Sequence, residues 1–198
     1  MLTIGVTGNI GSGKTTVCKI FSSLGIPVYD ADSEAKHLMS SDEELKKQLK
    51  IEFSEKVFDE NNQLDKNFLA GKVFSDKNEL LRLNKIVHPA VRKDFQTWLS
   101  KISDVPYLIK EAAILFESGA NEDCNYTVVV TSPLDLRSKR VTLRDAVPEE
   151  QFLKRENSQL REEEKQKLAD FEIINDENHL VIQQVLKLHE HFLSLTRK

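Results

Sequence analysis

Five short apolar runs, separated by stretches whose apolar residues recur every three or four positions, set the rhythm of this chain. The runs cover residues 2–6, 25–29 (closing at Asp30), 107–112, 126–130 and 171–174. They are continuously apolar rather than alternating. That pattern predicts parallel strands covered on both faces. Helical stretches link the runs, so the expected fold is a doubly wound α/β domain with a five-stranded parallel sheet flanked by helices. Val17, Ile20, Phe21 and Leu24 form one helical stripe, and Leu45, Leu49 and Phe53 form another. Leu80, Leu83, Ile86 and Val87 form a third. Pro89 predicts a fresh helix start, with His88 before it and Val91, Phe95, Trp98 and Leu99 on one face. Phe68, Phe74, Trp98 and Phe116 are expected in the core, and the stripe over 180–195 is a packing face.

Two segments interrupt the strand–helix alternation. The spacing divides the chain into a nucleotide-binding core of residues 1–32, 104–132 and 168–198, a helical insert at 33–103 and a second, charge-rich insert at 133–167. Within the second insert, residues 162–167 read as a solvated helical face. A chain of 198 residues is long enough for one such core with inserts. The net charge of −4 carries no lysine or arginine block, so a nucleic-acid partner is not expected. Cys18 and Cys124 lack metal-ligand spacing and suit a reducing compartment, with Cys18 buried and inert in the first helix. With no signal segment and no apolar span, the expectation is a cytoplasmic protein that does not enter a membrane.

The chemistry concentrates between the first strand and the first helix. Gly8 to Thr15 read Gly-Asn-Ile-Gly-Ser-Gly-Lys-Thr, which fits Gly, four residues, then Gly-Lys-Ser/Thr. The glycines let the backbone curl so that its N–H groups point at phosphate oxygens, and the helix N-terminus adds partial positive charge. Gly8, Gly11, Ser12, Gly13, Lys14, Thr15 and Thr16 are the expected nucleotide-binding residues, with Lys14 reaching the β and γ phosphates and Thr15 holding Mg²⁺.

Other constellations fall at expected strand ends, where ligands sit in parallel α/β sheets. Asp30-Ala31-Asp32 follows the second run. Asp32 is the candidate for orienting an acceptor hydroxyl and taking its proton, with Asp30 second; a helix cap is the plainer alternative. Glu111 closes the third run and is a candidate magnesium holder through water, or a solvent-facing carboxylate. Glu117 is similarly placed, with its role open. Arg137, Arg140 and Arg144 share one helical face and suit clamping of transferring phosphates, Arg140 and Arg144 more so. His88 and Arg92 lie one turn apart, with Arg92 able to meet an anionic group of the acceptor. A small-molecule kinase is the reading that joins these pieces. A nucleotide switch of the GTPase type is disfavoured, because neither an Asn-Lys-x-Asp motif nor an Asp-x-x-Gly after the third run occurs.

Thr7 to Thr16, Asp30-Ala31-Asp32, His88-Pro89, Ile114-Leu115-Phe116-Glu117, Arg140 with Arg144, Ala169-Asp170 and Asn175 together make the chain resemble the dephospho-coenzyme A kinases along nearly its whole length. The resemblance implies ATP-dependent phosphorylation of the ribose 3′-hydroxyl of dephospho-coenzyme A. It also implies a nucleotide core, a helical acceptor-binding region (33–103) and an arginine-bearing lid (133–167). The implied roles are Asp32, Lys14, Arg140 and Arg144 in catalysis, Asp30, His88 and Glu117 at the acceptor, and Thr15 at Mg²⁺, while Arg92 at the acceptor and Glu111 at Mg²⁺ rest on the placement of those residues alone. The chain departs from the family pattern at Asn9, where glycine is usual, at Thr15 for serine, at Glu111-Ala112-Ala113 and at Arg137.

Overall fold

The computed structural model describes residues 1–73 and 77–196. Phe74 lies outside them. The chain forms two compact units, Met1–Asp30 with Ser103–Lys198, and Ala31–Ile102.

The first unit is built on strands β1 (Leu2–Thr7), β2 (Val28–Asp30), β3 (Tyr107–Glu111), β4 (Tyr126–Thr131) and β5 (Phe171–Ile174). They pair in the order β2-β3-β1-β4-β5, and every pairing is parallel. Leu2 lies opposite Tyr107 and Val6 opposite Glu111, while β4 flanks the other side of β1. The chain therefore reverses its winding direction beside β1, and the loop leaving β1 opens at this switch point. Helix α1 (Lys14–Ser23) follows that loop, and α9 (Val181–Thr196) ends the described chain. Val17, Cys18 and Phe21 of α1 and Val185 and Phe192 of α9 bury against Ile4, Val6, Ile109, Val128 and Ile173 of the sheet. Continuous burial along β1, β3 and β4 explains their unbroken apolar runs. One polar pair crosses this core, with Tyr107 Oη 2.6 Å from His189 Nδ1. Between β4 and β5 run α6 (Leu134–Asp145), α7 (Glu149–Glu156) and α8 (Glu162–Leu168).

The second unit holds α2 (Ala31–Ser41), α3 (Glu43–Phe53), α4 (Lys66–Val73) and α5 (Lys77–Leu99). Leu45, Leu49 and Phe53 bury with Val57, Phe58, Leu69 and Val87 in a core of its own. Asp42 caps α3 by accepting from the Leu45 N–H at 2.8 Å. The expected helix start at Pro89 is corrected: α5 runs unbroken from Lys77 to Leu99, with Pro89 inside it. A proline there removes one backbone bond and crowds the preceding turn. The apolar stripe continues through it, from Leu83, Ile86 and Val87 to Ala90 and Val91, and this packing holds the helix together.

Candidate active site

The loop from Gly8 to Gly13 is shaped by backbone that only glycine adopts readily. Gly11 and Gly13 have φ of 82° and 95°. A Cβ on Gly11 would stand 2.7 Å from the Arg137 carbonyl, and one on Gly13 would collide with the Asn175 side-chain amide. Gly13 occupies the N-cap position of α1, and no side chain among the described residues caps that helix end. The Thr16 and Val17 N–H groups donate to the Gly13 carbonyl at 3.0 and 3.1 Å, and the helix end carries the partial positive charge that favours an anion. Lys14 Nζ donates to the Gly8 carbonyl at 3.0 Å, which curls the side chain back over the loop.

Thr15 Oγ1 donates to Glu111 Oε1 at 2.8 Å. Asp30 pairs in register with Glu111 across β2 and β3, so two carboxylates and a hydroxyl meet at these strand ends. Burial raises the Glu111 carboxyl above its ordinary value. The Thr15 hydrogen bond and the Lys14 charge pull it back, and the Asp30 charge adds to the rise. Hard oxygen donors of this kind suit Mg²⁺. Among the described residues, no group of three or more His, Cys, Asp or Glu gathers as a metal site. Cys18, one turn beyond Thr15, is buried, and its thiol is pushed far up by desolvation and by the Glu111 charge.

The three arginines of α6 part company. Arg140 donates to Ser132 Oγ at 2.9 Å and to the Asn175 carbonyl at 3.2 Å, with the Gly11 carbonyl 3.5 Å away. Arg144 is exposed and bonds Asp145 at 2.7 Å, and Arg155 reaches the same carboxylate at 3.0 Å. Arg137 does not present itself as an exposed phosphate clamp. It is 3% exposed, donates to Glu156 at 2.5 and 2.9 Å, and donates through Nε to the Ser132 carbonyl at 2.9 Å. Helical spacing placed it on a face but could not tell which part of that face packs inward.

Glu117 accepts from the Leu160 N–H at 2.9 Å and pairs with Lys165 Nζ at 3.0 Å. Lys165 also donates to the Ala113 carbonyl at 2.7 Å and is wholly buried. The solvated face expected at 162–167 holds at Glu163, Glu164, Gln166 and Lys167, which are exposed, and fails at Lys165, whose stem turns inward so that the ammonium meets a carboxylate and a carbonyl.

Asp32 lies in the first turn of α2, and His88 and Arg92 lie one turn apart on α5, all in the helical unit. His88 is half-buried, and desolvation lowers its pKa. Burial therefore favours its neutral ring. Three side-chain amides complete the loop's surroundings. Asn175 Nδ2 donates to the Ser12 carbonyl at 2.6 Å, Asn9 Nδ2 donates to Glu156 Oε1 at 3.0 Å, and Gln159 Oε1 accepts from the Ile10 N–H at 2.8 Å. Asn175 is part of the family resemblance and Asn9 a departure from it, whereas nothing in the sequence singled out Gln159.

Among the described residues no helix is long and apolar enough to cross a membrane. The family model described as dephospho-CoA kinase (CoaE) matches residues 2–180. A curated dephospho-CoA kinase of Porphyromonas gingivalis is 39% identical over 191 residues, which is 96% of this chain and 94% of that protein. A solved structure described as TT1252 from Thermus thermophilus superposes with a TM-score of 0.84 at 36% identity, covering 96% of each chain. The dephospho-CoA kinase from Campylobacter jejuni superposes with a TM-score of 0.69 at 29% identity, covering 97% of each. With a phosphate loop of this geometry at the sheet's switch point and a family match over nearly its whole length, the chain belongs to the dephospho-CoA kinase family.

Proposed function

We propose that the protein transfers the γ-phosphoryl group of ATP to the ribose 3′-hydroxyl of dephospho-coenzyme A, giving coenzyme A and ADP in the cytoplasm. The observation that carries this reading is the glycine-shaped loop with Lys14 folded over it and an uncapped helix end behind it. In this reading N–H groups of the loop and of the first turn of α1 cradle the phosphates, and Lys14 exchanges its Gly8 contact for phosphate oxygens. Thr15, with Glu111 and Asp30 beside it, would hold Mg²⁺, which when bound would supply positive charge against the phosphates. Asp32 orients the 3′-hydroxyl and accepts its proton. Arg140, already turned toward the Gly11 carbonyl, and Arg144 meet the charge that spreads over the transferring group. His88, as a neutral ring, hydrogen-bonds the acceptor rather than pairing with its charge, and Arg92 supplies the cation one turn away. Glu117 contributes by holding Leu160 and Lys165.

Residues 33–103 then serve as the acceptor-binding region and 133–167 as the lid. Because Arg137 and Lys165 are buried anchors and Glu156 holds Arg137, the closing part is confined to the stretch between Arg140 and Arg155. Positioning and electrostatics supply most of the rate, since this transfer asks little covalent chemistry of the protein.

An acceptor panel read by mass tests the proposal. Dephospho-coenzyme A gains one phosphate with ATP and Mg²⁺, AMP and shikimate do not, and Lys14→Ala abolishes the gain while keeping the native circular dichroism spectrum. Phosphorylation of AMP in place of dephospho-coenzyme A overturns the substrate assignment.

A further inference from the structure

The front of the phosphate loop is tied to the connection between α7 and α8 by side-chain amides. Asn9 is wholly buried and uses both hydrogens of Nδ2, one on Glu156 Oε1 and one on the Leu160 carbonyl, each at 3.0 Å. Both partners only accept, so the orientation of the amide is settled by its surroundings. Its Oδ1 is left buried with no hydrogen-bond partner among the described residues. Next along the loop, the Ile10 N–H donates to Gln159 Oε1 at 2.8 Å, and Gln159 Nε2 donates onward to the Ala113 carbonyl at 3.3 Å. The far side is held as firmly. Arg137 grips Glu156 through two donors, and Glu117 fixes the Leu160 N–H at 2.9 Å.

We propose that Asn9 and Gln159 are positioning residues that hold the phosphate loop open in its anion-binding shape by clamping residues 9 and 10 between the α7–α8 connection and the end of β3. A glycine at position 9 makes no such tie. Its absence would also leave no orphaned Oδ1, so the clamp is kept at a cost in stability. The benefit falls on binding. Preorganised N–H donors need no reordering when an anion arrives, whereas a slack loop of glycines must be ordered at the ligand's expense. The clamp touches neither acceptor nor transferring group, so its loss should register in ATP affinity and leave the chemical step alone.

The proposal rests on the reading that this loop binds ATP, and the test separates the two. Asn9→Ala is sterically mild, because Glu156 keeps Arg137 as its partner and no unpaired charge results. Gln159→Ala lies outside any helix and serves as the second variant should Asn9→Ala fail to fold. In each, KM for ATP and its calorimetric Kd rise roughly three- to tenfold, the worth of one or two neutral hydrogen bonds. The kcat and the KM for dephospho-coenzyme A stay within about twofold. Folded variants that bind ATP as tightly as the parent overturn the clamp and leave the phosphate-loop reading intact. A parent protein that shows no calorimetric binding of ATP with Mg²⁺ overturns both. A fall in kcat with unchanged ATP affinity assigns these residues to the chemistry and also overturns the proposal.

Discussion

Asp32 is two residues beyond the last residue of β2, in the opening turn of α2, where a short side chain keeps few rotamers and a defined direction. If it takes the acceptor proton, Asp32→Asn preserves size and hydrogen bonding but removes the base. The kcat should fall a hundredfold or more, the usual worth of a positioned base, with KM for ATP little changed. Steady-state kinetics at saturating ATP check this, and a near-normal kcat sinks the assignment. In the proposed Mg²⁺ role, Glu111 would set the acid side of the pH response. Burial holds its carboxyl above the ordinary value, so it takes up a proton at a higher pH than an exposed glutamate. As pH falls through that raised value the negative charge behind Thr15 is lost, Mg²⁺ binding weakens, and kcat/KM declines. Glu111→Gln should remove this acid limb from a pH profile at fixed Mg²⁺. The same shift makes the ionised carboxylate a burden on the fold. Stability contributed by the protonated form is lost as pH rises through the raised value. The loop residues Gly8 to Thr16 were readable because they are contiguous and each type has one evident use. The contacts of Asn9, Gln159 and Asn175 were not, since each acts on a partner more than a hundred positions away or on a carbonyl that has no sequence signature.

At the level of elements, periodicity served well where one face is apolar and poorly where charge is buried. The α3 stripe of Leu45, Leu49 and Phe53 packs as its spacing demands. The α8 segment, by contrast, offers three glutamates and two lysines to any hydropathy reading. Only the tertiary setting reveals that Lys165 is buried against Glu117 and the Ala113 carbonyl. Pro89 misled for a related reason: a local rule about helix starts was overridden by side chains packing on both sides of it. The buried pair yields a stability prediction. Lys165→Ala strands the Glu117 charge and opens a cavity. It should cost about 3–5 kcal/mol in urea denaturation. Adding Glu117→Gln to Lys165→Met should recover most of that loss, because no charge is then left unpaired. If Lys165→Ala is as stable as the parent, the pair is not an anchor of the second insert.

For the molecule as a whole, two cores divide the labour. One is formed by the sheet with α1 and α9, the other by α3, α4 and α5. Ligands that meet different units should stabilise different segments. ATP with Mg²⁺ at a hundredfold its Kd adds about 2.7 kcal/mol to the state that binds it. In hydrogen exchange the added protection should centre on residues 1–30 and 103–198, and above all on the loop and α1. Protection by ATP confined to 31–102 would contradict the site. The fold class was legible in the five apolar runs and their helical links. The order β2-β3-β1-β4-β5 was not, because which strands pair is decided by packing across the sheet rather than by any local signal.

That pairing also governs how the chain comes together as it is made. Strand β1 leaves the ribosome first, yet its neighbours begin at Tyr107 and Tyr126. At roughly 5–20 residues per second, that is a wait of about 5–20 seconds. Residues 31–102 carry their own apolar centre and can condense during the delay. Strand β1 meanwhile stays an unpartnered hydrophobic segment, of the kind that chaperones hold. Gly8, Gly11 and Gly13, translated before those neighbours, are thus among the last residues to take their final shape.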